Sequence, residues 1–303
     1  MDAPNDRPDL GRLAVAAYAV VLAVFVGLRM LAVEPWAMPA YDVYAYWVTG
    51  TGFDYATAHQ GTTGAYLYSP AFAQLISPLA ALPWPIFAGI WTALMAAPLA
   101  WLAGSYALGL FILPPVFMSI ALGQLDVLFA VVAIVGLRWP WVWALPILTK
   151  VTPGVGLVWF LVRREWRSLG VALGATAAIA AVSAIFAPEA WRGWFALLAR
   201  MDFPQLGGGL WFLPVPLFVR LPLVAVLVAW GARRDRRWVL PVGVCLALPT
   251  VWLNSPTILI ALLPLVAAGA RTPAGAWLRM TARASPLEEP RRRLTTWLRR
   301  VTA

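Results

Sequence analysis

The sequence predicts an all-α polytopic membrane protein, a bundle of about ten transmembrane helices with interfacial helices in its outer loops. Two observations carry that reading. Of the 303 residues, 62% are hydrophobic and 12% charged, and the mean hydropathy is +0.77, beyond the make-up of an ordinary water-soluble domain. The arginines that bring the net charge to +10 gather at the ends of apolar runs, where membrane topology accounts for them better than nucleic acid does. A disordered chain is excluded by the same composition. A disulfide scaffold is excluded because Cys245 is the single cysteine.

The elements follow in order. Residues 1–12 are polar, and the apolar stretch 13–33 is long and lacks a small-residue cleavage site, so it reads as a retained helix rather than a signal peptide. Further apolar runs occupy 65–82, 84–103, 105–122, 124–138, 140–162, 168–187, 210–230, 238–253 and 256–271. The pairs 105–138 and 238–271 leave only about 17 residues per span, the lower limit for a crossing, so each is a hairpin of short helices or a partly re-entrant element. Arginine clusters at 163–167, 233–237 and 271–300 all fall inside when crossings are counted from a cytoplasmic N-terminus, which puts both termini in the cytoplasm. The long loops 34–64 and 188–209 then lie outside. Residues 1–271 form the membrane domain, and 272–303 form a basic tail held at the cytoplasmic surface by anionic lipid.

In such a chain the ionisable residues outside the arginine clusters are the informative ones, because each costs about 2.5 to 3.5 kcal/mol at mid-bilayer unless paired or hydrated. Lys150, the single lysine, lies in LPILTKVTPGVGLVWF near the middle of a span. It reads either as a partner of Asp126 that holds helices together or as an anion-binding cation in a hydrated cavity. Arg220, in WFLPVPLFVRLPLVAVL, poses the same choice. In the first outer loop Tyr41, Tyr44, Tyr46 and Trp47 crowd around Asp42. An aromatic belt explains the rings, but not a carboxylate among them. Asp54 reads as a capping acid and His59 as an incidental loop residue. In the second outer loop Trp191, Trp194, Phe195, Leu198 and Met201 recur at helical spacing with Arg192 and Arg200 off that face, which describes an amphipathic interfacial helix. No metal-ligand spacing, P-loop, GxGxxG or Ser/His/Asp arrangement is present, so neither cofactor nor metal is expected.

Four segments in order, AYDVYAYWVTG, AYLYSPAFAQLISPLAALPWPIFAGIW, LPPVFMSIALGQLDVLFAVVAIVGL and the K-x-x-P of LTKVTPGVGLVWFLVRREWRS, resemble glycosyltransferase family 87. The resemblance covers about residues 10–190. It implies a GT-C-like bundle and alpha-mannosyl transfer from polyprenyl-phosphomannose to envelope lipids or glycans. It also implies that Asp42 is the catalytic base, that Tyr68 and Pro70 form the Y-x-P motif with Pro78 in the PL segment that follows, that Gln124 and Asp126 form the GQ-x-D motif, and that Lys150 and Pro153 are the family's lysine-proline pair.

The chemistry of such a transfer suits these residues. An acceptor hydroxyl must lose its proton as it attacks the anomeric carbon, which asks for one carboxylate near the membrane face, and Asp42 answers. The departing phosphate needs fixed cations rather than an acid, and Lys150, Arg29 and Arg220 are the candidates. Tyr44, Tyr46, Trp47, Tyr68, Gln124 and Asp126 are the expected contacts to sugar or acceptor. Membrane lipids are partners and nucleic acid is not. Two other classes stay open: a transporter or flippase of a lipid-linked substrate, which would also want cations along a hydrated path, and an inactive relative serving as an assembly partner.

Overall fold

A computed structural model describes residues 41–59, 61–201, 215–265 and 272–283, with Leu213 and a few positions between 13 and 24. Among the described residues every regular element is helical. The helices are α1 (Tyr41–Trp47), α2 (Pro70–Ala80), α3 (Trp84–Ala103, followed after a 3-10 turn by the short helix Ala107–Phe111), α4 (Pro114–Leu122), α5 (Asp126–Val135), α6 (Ala144–Lys150), α7 (Val158–Arg163), α8 (Trp166–Phe186), α9 (Pro188–Arg200), α10 (Leu217–Arg233), α11 (Val239–Leu246), α12 (Leu262–Leu265) and α13 (Pro273–Arg283).

Among the described residues two stretches are long and apolar enough to cross a membrane. One is α3 continued through a 3-10 turn to Phe111, 28 residues in all, and the other is α8, 21 residues. A third is available if α4 and α5 count as one span bent by 105°. The remaining expected spans are divided, and proline accounts for much of the division. Residues 65–82 become an extended Tyr66–Ser69 lead-in followed by an 11-residue helix that starts at Pro70. Residues 140–162 become two 3-10 turns and two short helices, with Pro140 and Pro153 each opening a 3-10 turn. Residues 238–253 hold only the eight-residue α11. Helix α10, at 17 residues, stands at the lower limit for a crossing, about 17 residues. The first expected span, 13–33, lies largely outside the described residues, although Tyr18 is buried and its hydroxyl donates to the Ala96 carbonyl of α3 at 3.3 Å.

The core is one cluster in which α3, α5, α11 and the 3-10 turn Ser255–Ala261 meet. Helix α8 is different: apart from Ala172 and Ser183 it buries little, and Val182, Ile185 and Phe186 are exposed. That exposed apolar surface is what a lipid-facing helix presents.

Helix α8 also separates two sets of contacts. At its Phe186 end, α9 folds back on the first long loop: Trp194 Nε1 donates to the Leu67 carbonyl at 3.2 Å, and Arg200 donates to the carbonyls of Tyr55 and Ala58. The sequence face is refined here. Trp191, Trp194 and Leu197 are buried, whereas Phe195 is exposed. Arg192 pairs with Glu189 on the solvent side. At the other end of α8, Arg163 donates to the Ala232 carbonyl and to Asp235, both at 3.2 Å. The 163–167 and 233–237 arginine clusters are thus brought together.

Candidate active site

The site is built at helix ends. Helix α4 stops at Gly123, whose φ of +81° suits glycine. A Cβ there would meet Val43 Cγ2 of α1 at 2.0 Å. The Gly123 carbonyl accepts from Trp91 Nε1 at 2.9 Å. The bare backbone lets α1 lie against the turn, and the turn aims Gln124 at Asp42. Two residues on, Asp126 opens α5, where a carboxylate suits the exposed N–H groups of a helix start. On the opposite side α6 ends at Lys150 because Val151 takes φ 56°, ψ −64°, a conformation that a β-branched residue adopts only under strain. Pro153 then opens the following 3-10 turn.

These ends place four side chains in a chain of contacts. Gln124 Nε2 donates to Asp42 Oδ2 at 2.7 Å. Lys150 Nζ donates to Gln124 Oε1 at 3.3 Å and pairs with Asp126 Oδ1 at 3.8 Å. Asp126 Oδ2 accepts from Asn254 Nδ2 at 2.7 Å and from Ser119 Oγ at 3.4 Å. Asp126 is fully buried, whereas the Lys150 side chain keeps 14% of its surface, so the cation is the more accessible member of the pair. Asp42 is half-buried. Burial pushes its carboxyl up to about 6, against the opposing pull of the Lys150 ammonium and the Gln124 amide.

Tyr68 joins the same group. Its phenol is half-buried and interacts electrostatically with both Lys150 and Asp42. Its segment is firmly held. Tyr55 donates to the Tyr68 carbonyl at 2.6 Å, Tyr66 to the Ser69 carbonyl at 2.9 Å, and the Ser69 amide to the Leu148 carbonyl of α6 at 3.3 Å. A separate cavity of about 480 Å³ is lined by Tyr55 and Pro70 together with Asp54, Gln74 and Glu189.

Other expected contacts have structural work. Tyr46 is 1% exposed and packs against Trp91, Tyr68 and Phe72, so its ring offers no free face. Trp47 donates to the Leu82 carbonyl at 2.8 Å and meets Trp84 edge-on. Tyr44 lies between Trp47 and Trp84. Arg220 is 6% exposed, and its guanidinium is committed to the carbonyls of Val215, Leu246 and Pro249. It ties the start of α10 to the end of α11. Arg29 lies outside the described residues. Sequence reasoning passed over Asn254 and Ser119, the two donors to Asp126. The signal was the polar pair Asn254–Ser255 inside an otherwise apolar stretch, which a search restricted to ionisable residues does not register. No cluster of three or more His, Cys, Asp or Glu suited to a metal ion occurs among the described residues.

No curated protein and no solved structure matches the chain. A family model does, over residues 66–277; it takes in Tyr68, Gln124, Asp126, Lys150 and Asn254 and extends past the last of the motifs that carried the resemblance, but it begins after the first, AYDVYAYWVTG with Asp42. The buried polar chain at the ends of apolar helices therefore belongs to a membrane glycosyltransferase, a member of glycosyltransferase family 87.

Proposed function

We propose that the protein transfers a sugar, mannose on the family resemblance, from a polyprenyl-phosphate donor to a lipid or glycan acceptor at the outer membrane face, with inversion at the anomeric carbon. The observation that carries this reading is the contact chain Asp42–Gln124–Lys150–Asp126, which sets a carboxylate and a partly open cation side by side. Asp42 takes the proton of the acceptor hydroxyl as its oxygen bonds to the anomeric carbon. The bond from that carbon to the phosphate oxygen breaks, and the electron pair leaves on the phosphate. Lys150 stabilises that charge, which grows from the phosphodiester to the monoester. Asp126 pairs with Lys150 from its buried side. No general acid is needed, because the phosphate leaves as a stable anion.

The outer-face location is supported by α8. It puts the loops around Asp42 at one end and the arginine clusters at the other, as cytoplasmic retention of positive charge demands. The test is incubation of the protein in lipid with radiolabelled polyprenyl-phosphomannose and an envelope lipid extract. Label moves into new product with the wild type, and transfer falls about 100- to 10,000-fold in Asp42→Asn, the usual weight of a general base. Equal transfer by both proteins removes Asp42 from that role.

A further inference from the structure

The hydroxyl protons around Tyr68 can be assigned by elimination. Tyr46 is buried, and its hydroxyl donates to the Tyr68 oxygen at 3.1 Å. No other oxygen is positioned for it among the described contacts, and a buried O–H left without an acceptor is costly. The Tyr68 oxygen is therefore an acceptor in that bond, and its own hydrogen must point elsewhere. Tyr46 closes one side of the ring, and the Tyr66 and Phe72 rings meet it edge-on. The phenol interacts electrostatically with Lys150, Asp42 and Asp126. Its backbone is clamped on both sides by Tyr55 and Tyr66, so the direction of the hydroxyl is set before any ligand arrives.

We infer that Tyr68 is a phosphate ligand of the donor site: its O–H donates to one non-bridging oxygen of the polyprenyl phosphate while Lys150 Nζ pairs with another. The inference rests on the donor reading above and moves Tyr68 from the sugar and acceptor contacts to the leaving group. A neutral donor beside a cation suits this position. The phosphate carries one negative charge as a diester and gains more as the sugar departs, so a fixed O–H bonds the product anion more strongly than the ground state. Tyr46 is a positioning residue, since it occupies the Tyr68 oxygen and so directs the Tyr68 proton outward.

Equilibrium binding of a short polyprenyl phosphate to the full chain in lipid nanodiscs tests this, with the matching uncharged polyprenol as control. Tyr68→Phe keeps the ring contacts and is expected to weaken phosphate binding about 10-fold or more, the weight of a hydrogen bond to a charged group. Polyprenol binding stays unchanged. Difluorotyrosine at position 68, a more acidic phenol, is expected to bind the phosphate more tightly than wild type, which no packing role produces and which does not depend on how well the Phe variant folds. If Tyr68→Phe binds the phosphate as tightly as wild type while Lys150→Met loses it, the Tyr68 inference is overturned and the donor reading stands. If the wild type prefers the phosphate over the alcohol by nothing, the donor reading fails and takes this inference with it.

Discussion

In the proposed mechanism Gln124 carries the coupling between Asp42 as base and Lys150 as cation. Its amide satisfies both neighbours in one orientation only, with nitrogen toward Asp42 and oxygen toward Lys150. That arrangement presumes an ionised carboxylate and a protonated amine, and it leaves one Asp42 oxygen free to accept a proton. A pH dependence follows. The carboxyl sits near 6 because burial outweighs Lys150 and Gln124, and only its ionised form acts as base. Transfer therefore rises as pH increases through about 6 and falls below it. Lys150→Met removes the charge that lowers this value, and Gln124→Glu replaces a donor with a second anion, so both variants are expected to move the acidic limb to higher pH. A pH profile of transfer for the three proteins checks this, and a limb that stays in place in both variants separates Asp42 from the titration. The four central residues were legible in the sequence because a charge or a short motif in an apolar chain stands out. Asn254 and Ser119 were not, since neutral polar groups cost less in a membrane and leave no such mark. Arg220 and Lys150 look alike as cations in apolar runs. Only the fold shows that one spends its donors on three carbonyls.

At the level of elements, the site depends on breaks rather than on helices. The bend of 105° between α4 and α5 and the stop at Val151 bring residues from three segments to one point, which continuous spans would hold apart. Gly123 is the test of this. Alanine there faces a left-handed backbone, about 1 to 2 kcal/mol, and its Cβ collides with Val43, which adds about 1 to 3 kcal/mol of overpacking. Gly123→Ala is expected to lower the melting temperature and to displace α1, and with it Asp42, so that transfer falls. Adding Val43→Ala relieves the collision but not the backbone cost. The double variant should recover part of the activity in the transfer assay, and no recovery would mean that α1 is not positioned by this contact. The pair 105–138 was readable as a hairpin or re-entrant element because its runs are short. The division of 65–82 and 140–162 was not, because hydropathy counts apolar residues and is blind to what Pro70 and Pro153 do to a helix.

For the whole molecule the decisive length is that of α8. Twenty-one residues at 1.5 Å each span about 30 Å, the thickness of the hydrocarbon core. Its two ends therefore belong to opposite faces if it crosses the membrane. Arg163 binds Asp235 and the Ala232 carbonyl near one end, and α9 holds the Tyr55 and Leu67 carbonyls near the other. The proposed topology makes the first end cytoplasmic, on the rule that positive charge is retained there. The chain makes this easy to examine, because its single cysteine, Cys245, is buried and donates to the Ser255 carbonyl. In a Cys245→Ser background, single cysteines at the exposed positions Ala56, Glu189, Arg167 and Arg234 report sidedness through a membrane-impermeant maleimide on intact cells. Ala56→Cys and Glu189→Cys are expected to label without permeabilisation, and Arg167→Cys and Arg234→Cys only after it. The reverse pattern would turn the molecule over and place the Asp42–Lys150 opening on the cytoplasmic side, where a donor presented at the outer face could not reach it. Labelling of all four from outside would mean that α8 does not cross at all, and the arginine clusters would then need an explanation other than topology.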